Sequence, residues 1–206
     1  MKFSKSELLF TLFIALSSML LSSCGAVHTL KDEQVSPQWP GKAYKNITVV
    51  GVYEDMPYRS SAETGFAEAI KALGINAQTS YASIKDLQAI DTPEEITKFF
   101  DAVEGDAVLA VATIDPGYDY DYGDALATRG MVVLLGGRPG PYTDLGNFIA
   151  WAGSGSYSLL VALWDTKTQA LVWQAKTSSQ TTGSESEDIK ALAETVVTQL
   201  RGNGLL

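Results

Sequence analysis

Residues 46–53, Asn46-Ile-Thr-Val-Val-Gly-Val-Tyr53, form a β-branched run of strand length, and the fold class is set by the order of elements that this strand opens. Ser60-Ser-Ala-Glu63 reads as a capping box, in which hydroxyl and carboxylate each satisfy a backbone N–H. Phe66, Ile70 and Leu73 then recur at helical spacing and Gly74 supplies a stop, so the spacing predicts a helix from about Ser61 to Leu73. Ile75 to Ala82 alternates as a half-buried strand does. Thr92-Pro93-Glu94-Glu95 repeats the start signal, with Ile96, Phe99 and Val103 as the buried stripe of a second helix. Asp106 to Ile114 is almost wholly apolar, as in a strand covered on both faces. The order β-α-β-α-β with right-handed crossovers makes this part of the sheet parallel.

The remainder changes character. Tyr157–Trp164 and Ala170–Lys176 are strand-like runs joined by Asp165–Gln169, short enough for an antiparallel hairpin. Ser184-Glu-Ser-Glu187 is a third capping box, opening a helix whose inner face is Ile189, Leu192, Ala193, Val196 and Leu200 and which Gly202 ends. The expected fold class is therefore α/β, a mixed sheet with helices packed on it. Between the halves, Met131–Leu135 is apolar enough for another strand, while Thr143–Ser156 fits strand, helix or loop.

The amino terminus states an address. Lys2 and Lys5 precede an apolar run from Leu8 to Leu21, then Leu21-Ser22-Ser23-Cys24. A run of about 14 residues spans about 21 Å as a helix, short of a bilayer core of about 30 Å, so export and cleavage explain it better than a permanent span. Leu-Ser-Ser-Cys resembles the lipobox of bacterial lipoproteins. That resemblance implies a diacylglyceryl group on Cys24, cleavage before it to remove residues 1–23, and acylation of the new amine. Cys24 is the only cysteine, so no intramolecular disulfide is possible. Two or more acyl chains hold a protein stably to a membrane. Gly25 stands where lipoproteins kept in the inner membrane often carry Asp, which by the same resemblance favours the periplasmic side of the outer membrane.

Residues 24–45 read as the lipidated Cys followed by a flexible tether, with Lys31-Asp32-Glu33-Gln34 and prolines at 37 and 40. About 20 such residues reach at most about 70 Å and average nearer 25 Å as a coil. Residues 46–206 form the single domain. Composition is that of a globular protein, 46% hydrophobic and 19% charged. The formal charge of −9 counts against nucleic acid and against electrostatic adhesion to anionic lipid.

For chemistry the strongest statement is an exclusion. His28 is the only histidine, and its place in the tether leaves the folded domain with neither imidazole nor thiol. On that reading Ser-His-Asp and Cys-His nucleophiles are excluded, as are ordinary zinc or copper sites. No Gly-x-x-x-x-Gly-Lys-Ser/Thr loop or Gly-x-Ser-x-Gly elbow occurs, and Gly136–Gly140 reads as a turn. Neither a cofactor nor a metal is expected. What remains is Asp115, Tyr118, Asp119, Tyr120, Asp121, Tyr122 and Asp124, just past the third strand, where open α/β sheets tend to bind ligands. A solvated loop, a protein contact through the tyrosines, a small-ligand site, calcium on Asp119, Asp121 and Asp124, and hydrolysis by paired carboxylates all remain open there. Arg59 reads as solvated or ion-paired and Glu63 as a cap, while Trp151, Trp164 and Trp173 read as core or sheet-face residues.

The lipobox, the Val-rich first strand, the Leu73-Gly74-Ile75 helix end and the Trp164–Trp173 pattern before a helix closing in Gly202-Asn-Gly-Leu-Leu206 together resemble periplasmic α/β lipoproteins. The group has similarities to curli-secretion and penicillin-binding-protein-activator lipoproteins. It implies a non-enzymatic accessory, assembly or binding role with an envelope protein partner, and transfers one residue only, Cys24.

Overall fold

A computed structural model describes residues 27–114 and 156–206, apart from 54, 55, 85, 86, 88, 89, 91 and 183. In chain order these form β1 (Val27–Val35), β2 (Asn46–Val52), α1 (Met56–Ala72), β3 (Asn76–Thr79), α2 (Pro93–Ala102), β4 (Ala107–Ile114), β5 (Ser156–Asp165), β6 (Leu171–Gln180) and α3 (Glu185–Gly202). The strands make one sheet in the order β1-β6-β5-β4-β2-β3. As the sequence led one to expect, β2 runs parallel to both β3 and β4, and β5 and β6 are an antiparallel hairpin beside β4. The fold is a mixed α/β sheet.

Strand β4 lies between two apolar cores. Ala107 through Ala112 are all essentially inaccessible, which explains why the run is apolar without alternation. Leu109 and Val111 share one core with Phe66 and Ile70 of α1 and Leu192, Val196 and Leu200 of α3. Val108, Ala110 and Ala112 join Ile96, Phe99 and Phe100 of α2 in a second core on the opposite face. Trp164 and Trp173 are fully buried core residues, as expected.

The capping box at Thr92 and Glu95 is present as read. The other two are not. Helix α1 begins at Met56, ahead of the expected start, so Ser60 lies inside it and its hydroxyl donates to Pro57 O at 2.9 Å. Pro57 in the first turn, with φ already set for a helix, accounts for the early start. Ser184 makes no side-chain cap hydrogen bond; instead the Asp188 carboxylate accepts from Thr182 N at 3.0 Å and Thr182 Oγ1 at 2.8 Å. Helix α3 ends at Gly202 as read, and just past it Gly204 adopts φ +78° while Leu205 N donates to Leu200 O at 2.9 Å, a Schellman closure.

The stretch expected to be a flexible tether needs the largest correction. Val27–Val35 is an edge strand, antiparallel to β6 from Val27 opposite Gln180 to Val35 opposite Trp173. Its sequence hides it because one face is exposed and a register shift between Lys31 and Gln34, with Asp32 at φ 51°, breaks the alternation. Glu33, within that irregularity, accepts from Trp173 Nε1 and Gln199 Nε2, each at 2.7 Å, and from Asn203 Nδ2. The folded unit therefore begins by Val27, not at residue 46.

Candidate functional site

Register fixes which groups share an end of the sheet. Val52, Thr79 and Ile114 are the carboxyl ends of β2, β3 and β4; Ile114 pairs with Ser158, Ser156 faces Gln180, and Gln180 faces Val27. Helices α1 and α3 also start at this end, each within a few residues of a strand that finishes there, and α2 ends within a few residues of the start of β4 at the opposite end. Two buried polar clusters are found at the carboxyl end.

The first joins α1 to β2 and to the turn after β3. Glu63 and Arg59, four residues apart on the helix, are 0% and 1% exposed. Glu63 Oε1 accepts from Arg59 Nε at 2.8 Å, from Ser80 Oγ at 2.8 Å and from Gly51 N at 3.0 Å. Its Oε2 accepts from Ser80 N at 2.5 Å and Tyr81 N at 2.8 Å. Arg59 Nη2 closes the circuit by donating to Ser80 Oγ at 2.8 Å. A buried charge is tolerable only when paired and hydrogen-bonded, and here both conditions hold. Glu63 is therefore not a cap and Arg59 is not solvated; of the two readings of Arg59, the ion pair is correct. Gly51 was the legible signal. A side chain there would meet Arg59 O at 3.2 Å and Glu63 Cγ at 3.3 Å, so a glycine inside a strand marked the close approach.

The second cluster contains the histidine that the tether reading had removed from the domain. His28, in β1, places Nδ1 2.8 Å from Ser179 Oγ of β6. Its ring is tilted against Tyr157 of β5 at a centroid separation of 6.3 Å. Burial lowers the imidazole pKa from its ordinary value, and the Asp188 carboxylate opposes that shift. Nε2 is buried without a hydrogen-bond partner among the described residues, so a proton added there would go unsatisfied by them. Burial also pushes the Tyr157 phenol up to about 12, with Ser179 opposing and Asp188 adding to the rise. The exclusion of imidazole chemistry thus loses its premise. The geometry nonetheless is not that of a nucleophilic triad: Ser179 is 1% exposed, and Asp188 directs its hydrogen bonds to Thr182.

No protein-family model matches the chain, and no curated protein sequence does. Among solved structures it is similar to the PelC dodecamer from Paraburkholderia phytofirmans, at 15% identity over 84% of this chain and 97% of that one, with a TM-score of 0.44. It is also similar to the lipoprotein GNA1162 from Neisseria meningitidis, at 14% identity over 76% of this chain and 96% of that one, with a TM-score of 0.39. At such scores these likenesses of chain path carry no functional weight.

Cys24 and the acidic, tyrosine-rich residues Asp115, Tyr118, Asp119, Tyr120, Asp121, Tyr122 and Asp124 lie outside the described residues, as does Trp151. The strand that delivers the chain to Asp115 ends with the two clusters at the carboxyl end. Among the described residues no group of three or more His, Cys, Asp or Glu side chains is placed to hold a metal ion, and no helix is long and apolar enough to cross a membrane. A groove of about 560 Å³ runs between α1 and α3 past Thr64, Gly65, Glu68, Tyr81 and Lys190. Gly65 sets how closely the helices approach, since a Cβ there would sit 2.5 Å from Ile189 Cγ2.

The amino end of the sheet is built differently. Asp106 accepts from Asn46 N at 2.9 Å and Lys45 N at 3.0 Å, fastening the start of β4 to that of β2. Tyr44 donates to Asp165 Oδ2 at 3.1 Å, and burial together with that carboxylate raises its pKa far above the ordinary phenol value. These bonds tie loops to strands.

Proposed function

We propose that this chain is an accessory protein of the bacterial cell envelope, held at a membrane by acyl chains on Cys24, and that it works by binding a protein partner and not by catalysis. The observation that carries the reading is the position of the sole cysteine. Cys24 closes Leu21-Ser22-Ser23-Cys24 behind a charged segment and a short apolar run, and stands three residues before the first strand of the folded unit. Gly25 next to it supports the outer membrane as the destination. Support for binding over catalysis comes from the two polar clusters: Arg59, Glu63 and Ser80 are bonded to one another and buried, and Ser179 is sealed from solvent.

The deciding experiment is the intact mass of the amino-terminal peptide from the mature protein. The reading expects a chain beginning at Cys24 and carrying a thioether-linked diacylglyceryl group. An unmodified amino terminus at any other residue contradicts it. Against catalysis or calcium binding at the acidic loop, the joint replacement of Asp119, Asp121 and Asp124 by Asn is expected to remove neither a turnover nor a ligand-dependent rise in melting temperature.

A further inference from the structure

We propose that the carboxyl end of the sheet faces the bilayer at short range and that the amino end points away from it, so that the protein presents a membrane-proximal and a membrane-distal surface of fixed identity. This rests on the acylated Cys24 of the proposed function. Its physical basis is reach. Only Gly25 and Ala26 separate Cys24 from Val27, and three Cα–Cα steps span at most about 11 Å. Val27 is held by the ladder to β6, with pairing at Val27, His28, Thr29, Leu30 and Lys31, so the anchor is fastened to the sheet itself. The ten residues of β5 run from that end to the other, about 33 Å at the rise of a strand. A tether of about 20 residues would have let the domain tumble; one of two intervening residues restricts which end can approach the lipid.

The exposed apolar residues favour the same end. Of the exposed large apolar residues among those described, Val27 (56%) and Met56 (40%) open β1 and α1 at the carboxyl end, and Val35 (43%) lies at the opposite end. The first turn of α3, which also starts at the carboxyl end, adds Glu185 and Glu187. Acidic groups there oppose adhesion to anionic headgroups, so the bilayer must be brought to this end by the covalent anchor and be of low surface charge where it touches. The opposite end, with the Thr166–Gln169 turn and the carboxyl terminus beside Tyr44, is then the surface open to partners in the aqueous phase.

The test uses the full-length acylated protein in phosphatidylcholine vesicles containing headgroup-nitroxide lipid. A fluorophore is placed either on Ser186→Cys or on Arg201→Cys, exposed positions at opposite ends of α3. Quenching several-fold stronger at position 186 is expected, and a 20-residue Gly/Ser insertion after Gly25 is expected to erase the difference. Equal quenching, or stronger quenching at position 201, on a chain whose acylation is verified by mass overturns the orientation alone. A chain recovered without acyl groups overturns the anchoring reading and this one with it. Glu185→Cys and Lys167→Cys give a second pair, which must agree with the first.

Discussion

His28 Nδ1 lies 2.8 Å from Ser179 Oγ across 151 residues of sequence, bonding the first described strand to the last. The contact has a pH consequence. Burial holds the His28 pKa below its unfolded value of about 6.5, so the unfolded chain takes up a proton before the folded one does. The stability contributed by neutral His28 is complete above that value and is lost as pH falls below it toward the folded pKa. His28→Gln is expected to flatten this part of the dependence. Melting temperatures of both proteins between pH 7.5 and 5 check it; parallel curves would show that the imidazole titrates alike in both states.

The Glu63 network gives an asymmetric expectation for its two charged members. Glu63→Gln turns an acceptor into a donor facing Ser80 N and Tyr81 N and deprives Arg59 of its carboxylate. Breaking a buried pair in this way costs about 3–5 kcal/mol. Arg59→Met also leaves a buried charge unpaired, but Glu63 keeps the donors from Gly51, Ser80 and Tyr81, so it is expected to be the milder change. Urea denaturation of both variants measures the order, and an Arg59→Met protein less stable than Glu63→Gln would refute it.

Gly65 tests how α1 packs on α3. Alanine is the better helix former by about 1 kcal/mol, so an isolated helix would gain from Gly65→Ala. Here the new Cβ meets Ile189 Cγ2 at 2.5 Å, on a β-branched side chain with one strongly preferred χ1 rotamer in a helix, and overpacking of about 1–3 kcal/mol is expected to outweigh the gain. Ile189→Ala is expected to rescue it. A double-mutant cycle with no coupling between the two positions would place the helices further apart than described.

Much of the fold was legible because its central elements obey simple periodicities. Strands β2 and β4 are apolar because both faces are covered, Thr92 and Glu95 cap α2 as their spacing says, and the Trp164–Trp173 hairpin has the length of an antiparallel turn. The failures come from residues whose role depends on partners far away in sequence. Val27–Val35 pairs with β6, about 150 residues on, and is exposed on one face, so its composition is that of a loop. Ser60 and Glu63 have the spacing of a cap, yet Glu63 is claimed by Gly51, Ser80 and Tyr81. The loss of β1 carried the loss of His28 from the folded unit, and with it the second cluster.

If acyl groups on one residue hold this sheet against a membrane, Cys24→Ala must abolish the processing and acylation that yield the anchored mature chain. Fractionation of cells expressing each protein, with detection of the chain in membrane and soluble fractions, is the measurement. The native chain is expected to partition with membranes and to be processed to a chain starting at residue 24. The alanine variant is expected to be neither acylated nor cleaved before residue 24. Recovery of the variant in the native fraction at the native mature length would contradict the anchoring role of Cys24.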